Sequence, residues 1–298
     1  MTYLVLARKW RPRSFDTLVG QDHVVRALTH ALDTQRLHHA WLFTGTRGVG
    51  KTTTARILAR ALNYKTDTID QPTIDLSAQG ENCQAIMEGR HVDVIEMDAA
   101  SHTGIDDIRE IIEQVRYRPV SARYKVYIID EVHMLSNQAF NGLLKTLEEP
   151  PPHVKFIFAT TEIRKVPITV LSRCQRFDLR RIEPEVMIAL LRRIATAECA
   201  QITDDALALI TRAAEGSARD ATSLLDQAIS HGAGETTAPQ VRAMLGLADR
   251  GRVLDLFDMI LRGAAAEARP ARPARFSASR ATARFRPTSN TSSMSATL

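Results

Sequence analysis

The sequence predicts an α/β fold: a parallel sheet with helices on both faces, followed by a small all-α domain. Three observations carry this reading. Strand-length apolar runs alternate with amphipathic segments of helical period over the first 181 residues. A glycine-rich loop joins the first of those runs to the helix after it. From Ile182 onward only helical spacing remains.

Ala7-Arg8-Lys9-Trp10-Arg11-Pro12 opens the chain as a basic stretch, and its proline keeps Arg11 extended. Val24, Val25, Leu28, Ala31 and Leu32 recur at helix spacing. Ala40-Trp41-Leu42-Phe43-Thr44 is an apolar run of strand size that ends in glycines. A helix is expected over 51–62, then an inserted loop over 63–82, which is polar and aperiodic. A buried strand is expected over 92–97. The helix over 104–115 sets Ile105, Ile108, Ile111, Ile112 and Val115 on one face. Further strands are expected over 125–130, 154–159 and 177–179, with a helix over 137–147 that Pro150-Pro151-Pro152 stops.

Helices are next expected over 184–198, 204–214, 218–230 and 238–245. Thr203-Asp204-Asp205 fits an N-cap and Gly232 a stop. Another helix begins near Arg252 and breaks off at Gly263. Residues 264–298 are rich in Ala, Arg, Pro, Ser and Thr and lack an apolar period. Such a segment cannot offset its ordering entropy, so disorder is expected. The expected organisation is a sheet domain over 1–181, a helical domain over 182–246, a short helical piece over 247–263 and the tail.

Composition excludes other classes. Of the 298 residues 44% are hydrophobic and 24% charged, as in a soluble globular protein and unlike a collagen, a mucin or a wholly disordered chain. No run approaches the roughly 18 apolar residues of a membrane span, so no membrane partner is expected. Residues 1–13 lack an apolar segment, so no secretory signal is expected. Cys83, Cys174 and Cys199 are too few for a disulfide framework, which predicts a reducing, cytoplasmic setting. Cys174 has no evident base and reads as a packing residue. The net charge of +5 has one source: residues 268–298 hold six Arg and no acid, and the other 267 residues hold 33 basic and 34 acidic side chains. The charge is therefore no nucleic-acid signature for the folded domains.

Gly45-Thr46-Arg47-Gly48-Val49-Gly50-Lys51-Thr52 matches G-x-x-x-x-G-K-[ST] in full, between a strand and a helix as that loop requires. Its glycines let backbone N–H groups turn inward on phosphates, and the helix N-terminus adds its dipole. Lys51 is expected to reach the β- and γ-phosphates and the Thr52 hydroxyl to ligate Mg²⁺. Val126-Tyr127-Ile128-Ile129 delivers Asp130 and Glu131 to the carboxyl end of a buried strand, the edge at which open α/β sheets bind ligands. Asp130 is expected to hold Mg²⁺ and Glu131 to polarise the attacking water. The pair favours nucleoside-triphosphate hydrolysis over transfer to a small acceptor.

Further motifs run in order. These are Lys9-Trp10-Arg11-Pro12, Val19-Gly20-Gln21, Asp98-Ala99-Ala100-Ser101, Ile129-Asp130-Glu131-Val132-His133-Met134-Leu135, Leu143-Leu144-Lys145-Thr146-Leu147-Glu148-Glu149-Pro150-Pro151 and Leu171-Ser172-Arg173-Cys174. With them the chain, from Thr2 to about Leu261, resembles the gamma/tau family of bacterial DNA polymerase III, the AAA+ ATPases of the sliding-clamp loader. The resemblance implies a P-loop AAA+ fold with a helical lid, and ATP with Mg²⁺ as cofactors. It implies that Arg173 is an arginine finger acting in trans on a neighbour's γ-phosphate, a role worth roughly 10³–10⁵ in rate. Thr160 and Thr161 both match the region that senses the γ-phosphate; Thr161 is carried as the candidate and the choice stays open. Arg219 matches the lid arginine that contacts nucleotide, and Arg11 and Val19 the segment over the adenine. Implied partners are other clamp-loader subunits including copies of the chain itself, the sliding clamp, primed DNA and the polymerase core. The implied enzyme is an ATPase without a polymerase site of its own. Arg109 and Arg116 are candidate DNA contacts.

Two departures stand out. Family members often carry four cysteines that hold a structural Zn²⁺ after the phosphate-loop helix. Here Tyr64, Ser77 and Gly80 stand at three of those positions and only Cys83 remains. One thiolate makes no tetrahedral site, so no zinc is expected and 63–82 must hold its shape otherwise. The family also continues into a helical collar, whereas the helical pattern here stops near Gly263. A collar cut short is expected, its tail either out of frame or a genuine basic segment that binds DNA or acidic surfaces. The competing functional expectation is a scaffold or incompetent fragment that cannot assemble the loader ring. The missing collar favours it; intact Lys51, Thr52, Asp130 and Glu131 oppose it.

Overall fold

Apolar runs bounded by polar turns become strands because a strand between two helical layers buries both faces. A computed structural model describes residues 4–101, 105–231, 234–246 and 257–262. The expected tail, the helix start near Arg252 and the stop at Gly232 lie outside the described residues. Two units divide the chain, Met1–Leu247 and Ala248–Leu298. In the second, residues 257–261 are helical and Arg262 pairs with Asp258 at 2.8 Å.

The sheet has five strands, β1 (Ala40–Thr44), β2 (Val94–Asp98), β3 (Lys125–Asp130), β4 (Val154–Thr160) and β5 (Gln175–Asp178), in the order β2-β3-β4-β1-β5. All its pairings are parallel. Around it lie α1 (Leu6–Lys9), α2 (Asp22–Asp33), α3 (Lys51–Leu62), α4 (Cys83–Met87), α5 (Ile105–Val115), α6 (Asn137–Glu148) and α7 (Ile168–Leu171). Trp41, Phe43, Val126, Ile128, Ile157 and Phe177 join one core with Leu28 and Leu32 of α2 and Ile57 and Leu58 of α3. Their strand neighbours Leu42, Tyr127, Ile129, Phe156 and Phe158 join another with Ile108 of α5 and Phe140 and Leu143 of α6. That period of two, apolar on both faces, is what the continuous runs encode. Because every pairing is parallel, the turns after β1, β3 and β4 open on one edge.

The helical domain holds α8 (Pro184–Ala197), α9 (Asp204–Ala213), α10 (Ala218–His231) and α11 (Ala238–Met244). Pro184 sits in the first turn of α8, where its missing N–H costs nothing, and the Thr203 hydroxyl caps α9 as expected. Met187, Leu191, Ile194, Ile210, Leu225 and Val241 form its core. Among the described residues no helix is long and apolar enough to cross a membrane.

The periodic elements form within two residues of their expected bounds. Three short helices, α1, α4 and α7, have four or five residues each and show no period to read. The strand expected over 92–97 begins only at Val94, since Val92 is 65% exposed and Asp93 has other duties. Asp93 is 1% exposed, and its carboxylate accepts the amides of Val120, Ser121 and Ala122 at 2.7–2.8 Å. Burial alone would raise its pKa; the hydrogen bonds outweigh it and hold the carboxyl below the usual range.

A depressed folded pKa contributes stability above the unfolded value and loses it as pH falls through the folded one. Asp93→Asn is therefore expected to cost about 1–3 kcal/mol in urea unfolding at pH 7. The gap from wild type should narrow below about pH 4. A gap that holds constant with pH would show that charge is not what the loop amides bind.

Candidate functional site

Beyond Thr44 the backbone must bend where side chains do not allow it. Gly45, Gly48 and Gly50 have φ of +148°, +78° and +107°, conformations open to glycine. A Cβ on Gly45 would stand 2.6 Å from the Leu179 carbonyl oxygen, and one on Gly48 2.0 Å from Ser217 Oγ. Val49 is buried and anchors the loop in the core, while Thr46 and Arg47 are exposed at its tip. Gly50 ends the loop, and its carbonyl accepts the Thr54 amide at 2.8 Å and hydroxyl at 2.9 Å. Lys51 is 6% exposed, and Nζ donates to the Gly45 and Thr46 carbonyls at 3.0 Å each. Burial pulls its ammonium below the ordinary lysine range, with Glu131 and then Asp130 acting the other way.

The acids stand opposite. The Thr52 hydroxyl donates to Asp130 Oδ2 at 2.5 Å, and Asp130 Oδ1 accepts the Glu131 amide at 2.9 Å. These paired hard oxygens beside a phosphate loop fit Mg²⁺, which takes one or two protein ligands and completes its shell from phosphate and water. Glu131 turns at φ +46°, and its Oε2 accepts the Thr161 amide at 3.2 Å and hydroxyl at 2.9 Å. Thr160 is fully buried instead, its Oγ1 2.9 Å from His133 Nδ1.

Arg219 approaches from the helical domain, its amide donating to the Gly48 carbonyl at 3.3 Å. Arg11 Nε donates to Thr53 Oγ1 at 3.0 Å. Burial first, then Arg56, holds Arg11 below the ordinary arginine range; Arg219 and Asp130 also act on its charge. The structure thus gathers Gly45 to Thr52, Asp130, Glu131, Thr161, Arg11 and Arg219. Val19 packs against the helical domain's core instead. Arg173 meets the Thr169 carbonyl, Ser172 and Glu148, all of its own surface. Two neighbours, Thr53 and Ser217, have no role in the sequence reading, and His133 enters it only within the motif from Ile129 to Leu135. Ser217 alone had a local signal, as the residue before a helix whose Oγ accepts the Asp220 amide at 3.2 Å.

The loop over 63–82 is held without a metal set. Arg60, 8% exposed, donates through Nη1 to the Arg13 carbonyl, through Nη2 to those of Leu76 and Ala78, and through Nε to Cys83 Sγ at 3.0 Å. The Tyr64 hydroxyl donates to the Ala78 carbonyl at 2.9 Å. A Cβ on Gly80 would stand 2.6 Å from the Lys65 carbonyl oxygen. One thiol facing a guanidinium, a phenol already bonded and no room at position 80 do not fit Zn²⁺. Among the described residues no group of three His, Cys, Asp or Glu gathers for a metal.

Arg60→Met is expected to lower Tm by roughly 5–10 °C, since it strips the buried Leu76 carbonyl and the Arg13 carbonyl of this donor and leaves Ala78 with Tyr64 alone. A chelator should leave the wild-type Tm unchanged in the same calorimeter; a drop on chelation would mean that a metal holds the loop. Gly48→Ala is expected to weaken nucleotide binding at least tenfold by titration, because both the strained φ and Ser217 oppose a Cβ.

Three family models match in succession: DNA polymerase III, delta subunit, over 20–183; DNA polymerase III clamp loader subunit, ATPase lid domain, over 188–234; and DNA polymerase III subunits gamma and tau domain III, over 236–270. DNA polymerase III subunit tau of Escherichia coli is 50% identical over 261 residues, 88% of this chain and 40% of that one. DNA polymerase III subunit gamma of Buchnera aphidicola subsp. Baizongia pistaciae is 44% identical, over 88% of this chain and 70% of that one. The chain spans about 40% of the length of the tau relatives. The Thermotoga maritima RuvB Holliday junction branch migration motor shares the fold, with a TM-score of 0.58 at 19% identity over 84% of this chain and 79% of that one. The successive models and a gamma relative matched over most of its length place the chain in one family: it belongs to the gamma/tau subunits of DNA polymerase III.

Proposed function

We propose that the chain is an ATP-binding and ATP-hydrolysing subunit of a sliding-clamp loader that serves DNA polymerase III. One observation carries the reading: the phosphate loop, buried Lys51, the Thr52–Asp130 pair and Glu131 meet on a single sheet edge. In this reading the loop amides and the N-terminus of α3 receive the phosphates of ATP. Lys51 exchanges two backbone carbonyls for phosphate oxygens. Thr52 and Asp130 hold Mg²⁺, which neutralises phosphate charge when bound.

Glu131 orients the attacking water, and the two Thr161 donors fix where its carboxylate points. In this reading Thr161, rather than buried Thr160, reports the γ-phosphate to Glu131, and its two hydrogen bonds to that carboxylate support the choice. Arg219 rides on the lid to the tip of the loop, and Arg11 borders the adenine. Arg173 acts on a neighbour's ATP, releasing Glu148 to do so. The partners are other loader subunits, the clamp, primed DNA and the polymerase core, and any polymerase chemistry belongs to the core.

The test is steady-state ATP hydrolysis with partner subunits, clamp and primed DNA. Lys51→Ala should lose nucleotide binding. Glu131→Gln should keep binding and lose about 10²–10⁴ in kcat. Arg173→Ala should also keep binding and lose about 10³ or more. Full, DNA-independent turnover by the isolated monomer would defeat the in-trans role of Arg173. Equal turnover of Lys51→Ala and wild type would defeat the whole reading.

A further inference from the structure

Residues 4–13 come first in the chain yet pack with the helical domain that comes late in it. Leu6 is 5% exposed in that domain's core, among Met187, Leu191 and Leu225. Its amide donates to Asp226 Oδ2 of α10 at 3.0 Å, and Asp226 is 8% exposed. Glu198, just past the end of α8, takes two donors from the same segment: Trp10 Nε1 on Oε1 and Lys9 Nζ on Oε2, both at 2.7 Å. A carboxylate there opposes the helix dipole, so helix stability does not explain its position. The Lys9 and Trp10 hydrogen bonds hold its carboxyl below the usual range.

One residue later the chain changes allegiance. Arg11 donates to Thr53, next to Thr52 on the first turn of α3, and the Arg13 carbonyl accepts from Arg60 of the same helix at 2.6 Å. Pro12 stiffens the crossing. The two grips fall on consecutive residues, about 3.8 Å apart along the backbone, so little slack separates them.

The lid's own chain connection is a single crossing. Gln21, fully buried, pairs its side-chain amide with the Arg180 backbone at 2.7 and 3.0 Å. The Ile182 amide bonds the Gly216 carbonyl at 3.0 Å. One crossing permits rotation about itself. An attachment through Trp10, 188 residues away in sequence from Glu198, couples that rotation to whatever the attachment also holds.

We propose that residues 4–13 form a strap that transmits the lid's position to the phosphate-loop helix, with Glu198 as the positioning residue that anchors it. The strap's use in the ATPase cycle rests on the proposed function; its mechanical action does not. Lid closure over nucleotide pulls Trp10, and Arg11 carries the pull to Thr53 beside the Thr52 ligand. Glu198 touches no nucleotide and sets affinity through the strap.

The experiment uses the full chain. Hydrogen exchange without nucleotide compares wild type with Glu198→Ala, Glu198→Gln and Trp10→Phe. Glu198→Ala should quicken exchange across 4–13 and in residues 51–56 of α3, leaving α9 unchanged, and Glu198→Gln, which keeps an acceptor for the indole, should restore most of the protection. Trp10→Phe should quicken both regions by a smaller factor. Quickened exchange confined to 4–13 and the lid, with 51–56 unchanged, overturns the proposal. In ATPase assays Glu198→Ala should raise KM for ATP roughly fivefold or more with kcat held within about twofold; an unchanged KM overturns it as well. Wild type that binds no ATP would defeat the proposed function, and the exchange result would still decide the strap.

Discussion

Everything at the sheet edge depends on the contact between Thr52 and Asp130. It joins the first turn of α3 to the end of β3, two strands across the sheet from β1, or about 10 Å at the spacing of neighbouring strands. The side chains close that gap only because β4 lies between with all three strands parallel and in register. Thr44 of β1 stands opposite Thr160, and Ile129 opposite Phe158. The intervening strand therefore presents its own last residues to both neighbours. Thr161 reaches Glu131 and Thr160 reaches His133 for that reason. An antiparallel β4 would have delivered its start, Val154, to this edge.

The same edge concentrates charge out of water. Lys51 and Arg11 are held below their ordinary ranges by burial, which means that the protein disfavours their charged forms there. Buried cations are tolerated when acceptors meet them. Lys51 meets two loop carbonyls and Arg11 one hydroxyl, partners that are weaker than an anion. At Lys51 the geometry is thus satisfied and still favours a polyanion, because a phosphate offers that ammonium a stronger partner than the loop carbonyls do.

Legibility followed sequence distance. Strands β1, β3 and β4 and the long helices were readable, because packing between two layers imposes a period on each element alone. The phosphate loop and Asp130 with Glu131 were readable because their chemistry is written in contiguous residues. What escaped was pairwise and remote. Nothing near Glu198 announces Trp10, nothing near Ser217 announces Gly48, and nothing near Cys83 announces Arg60. The polar loop over 63–82 called for support other than metal, but a guanidinium from the preceding helix is invisible until α3 is wound and Arg60 turns toward it. Helices α1, α4 and α7 escaped for another reason: their few residues are fixed by the surfaces they touch, not by propensity or period.

The motif Val19-Gly20-Gln21 shows how a recognised pattern can carry a duty its resemblance does not name. Gly20 turns at φ +75°, where a Cβ would stand 3.1 Å from Ile182 Cγ1. Gln21 is buried without a charge and spends both amide functions on the backbone of Arg180. Val19 lies against the helical core. These contacts belong to the crossing between sheet and lid. The residues before the phosphate loop therefore meet the lid twice, at Leu6 to Trp10 and again at Val19, and grip α3 between, through Arg11 and Arg13. A segment so placed cannot follow the lid without loading the helix that carries Lys51 and Thr52. Residues 4–21 are thus the joint of the molecule, and the basic character of Lys9-Trp10-Arg11 serves that joint through Glu198 and Thr53, with no nucleic acid needed to explain it.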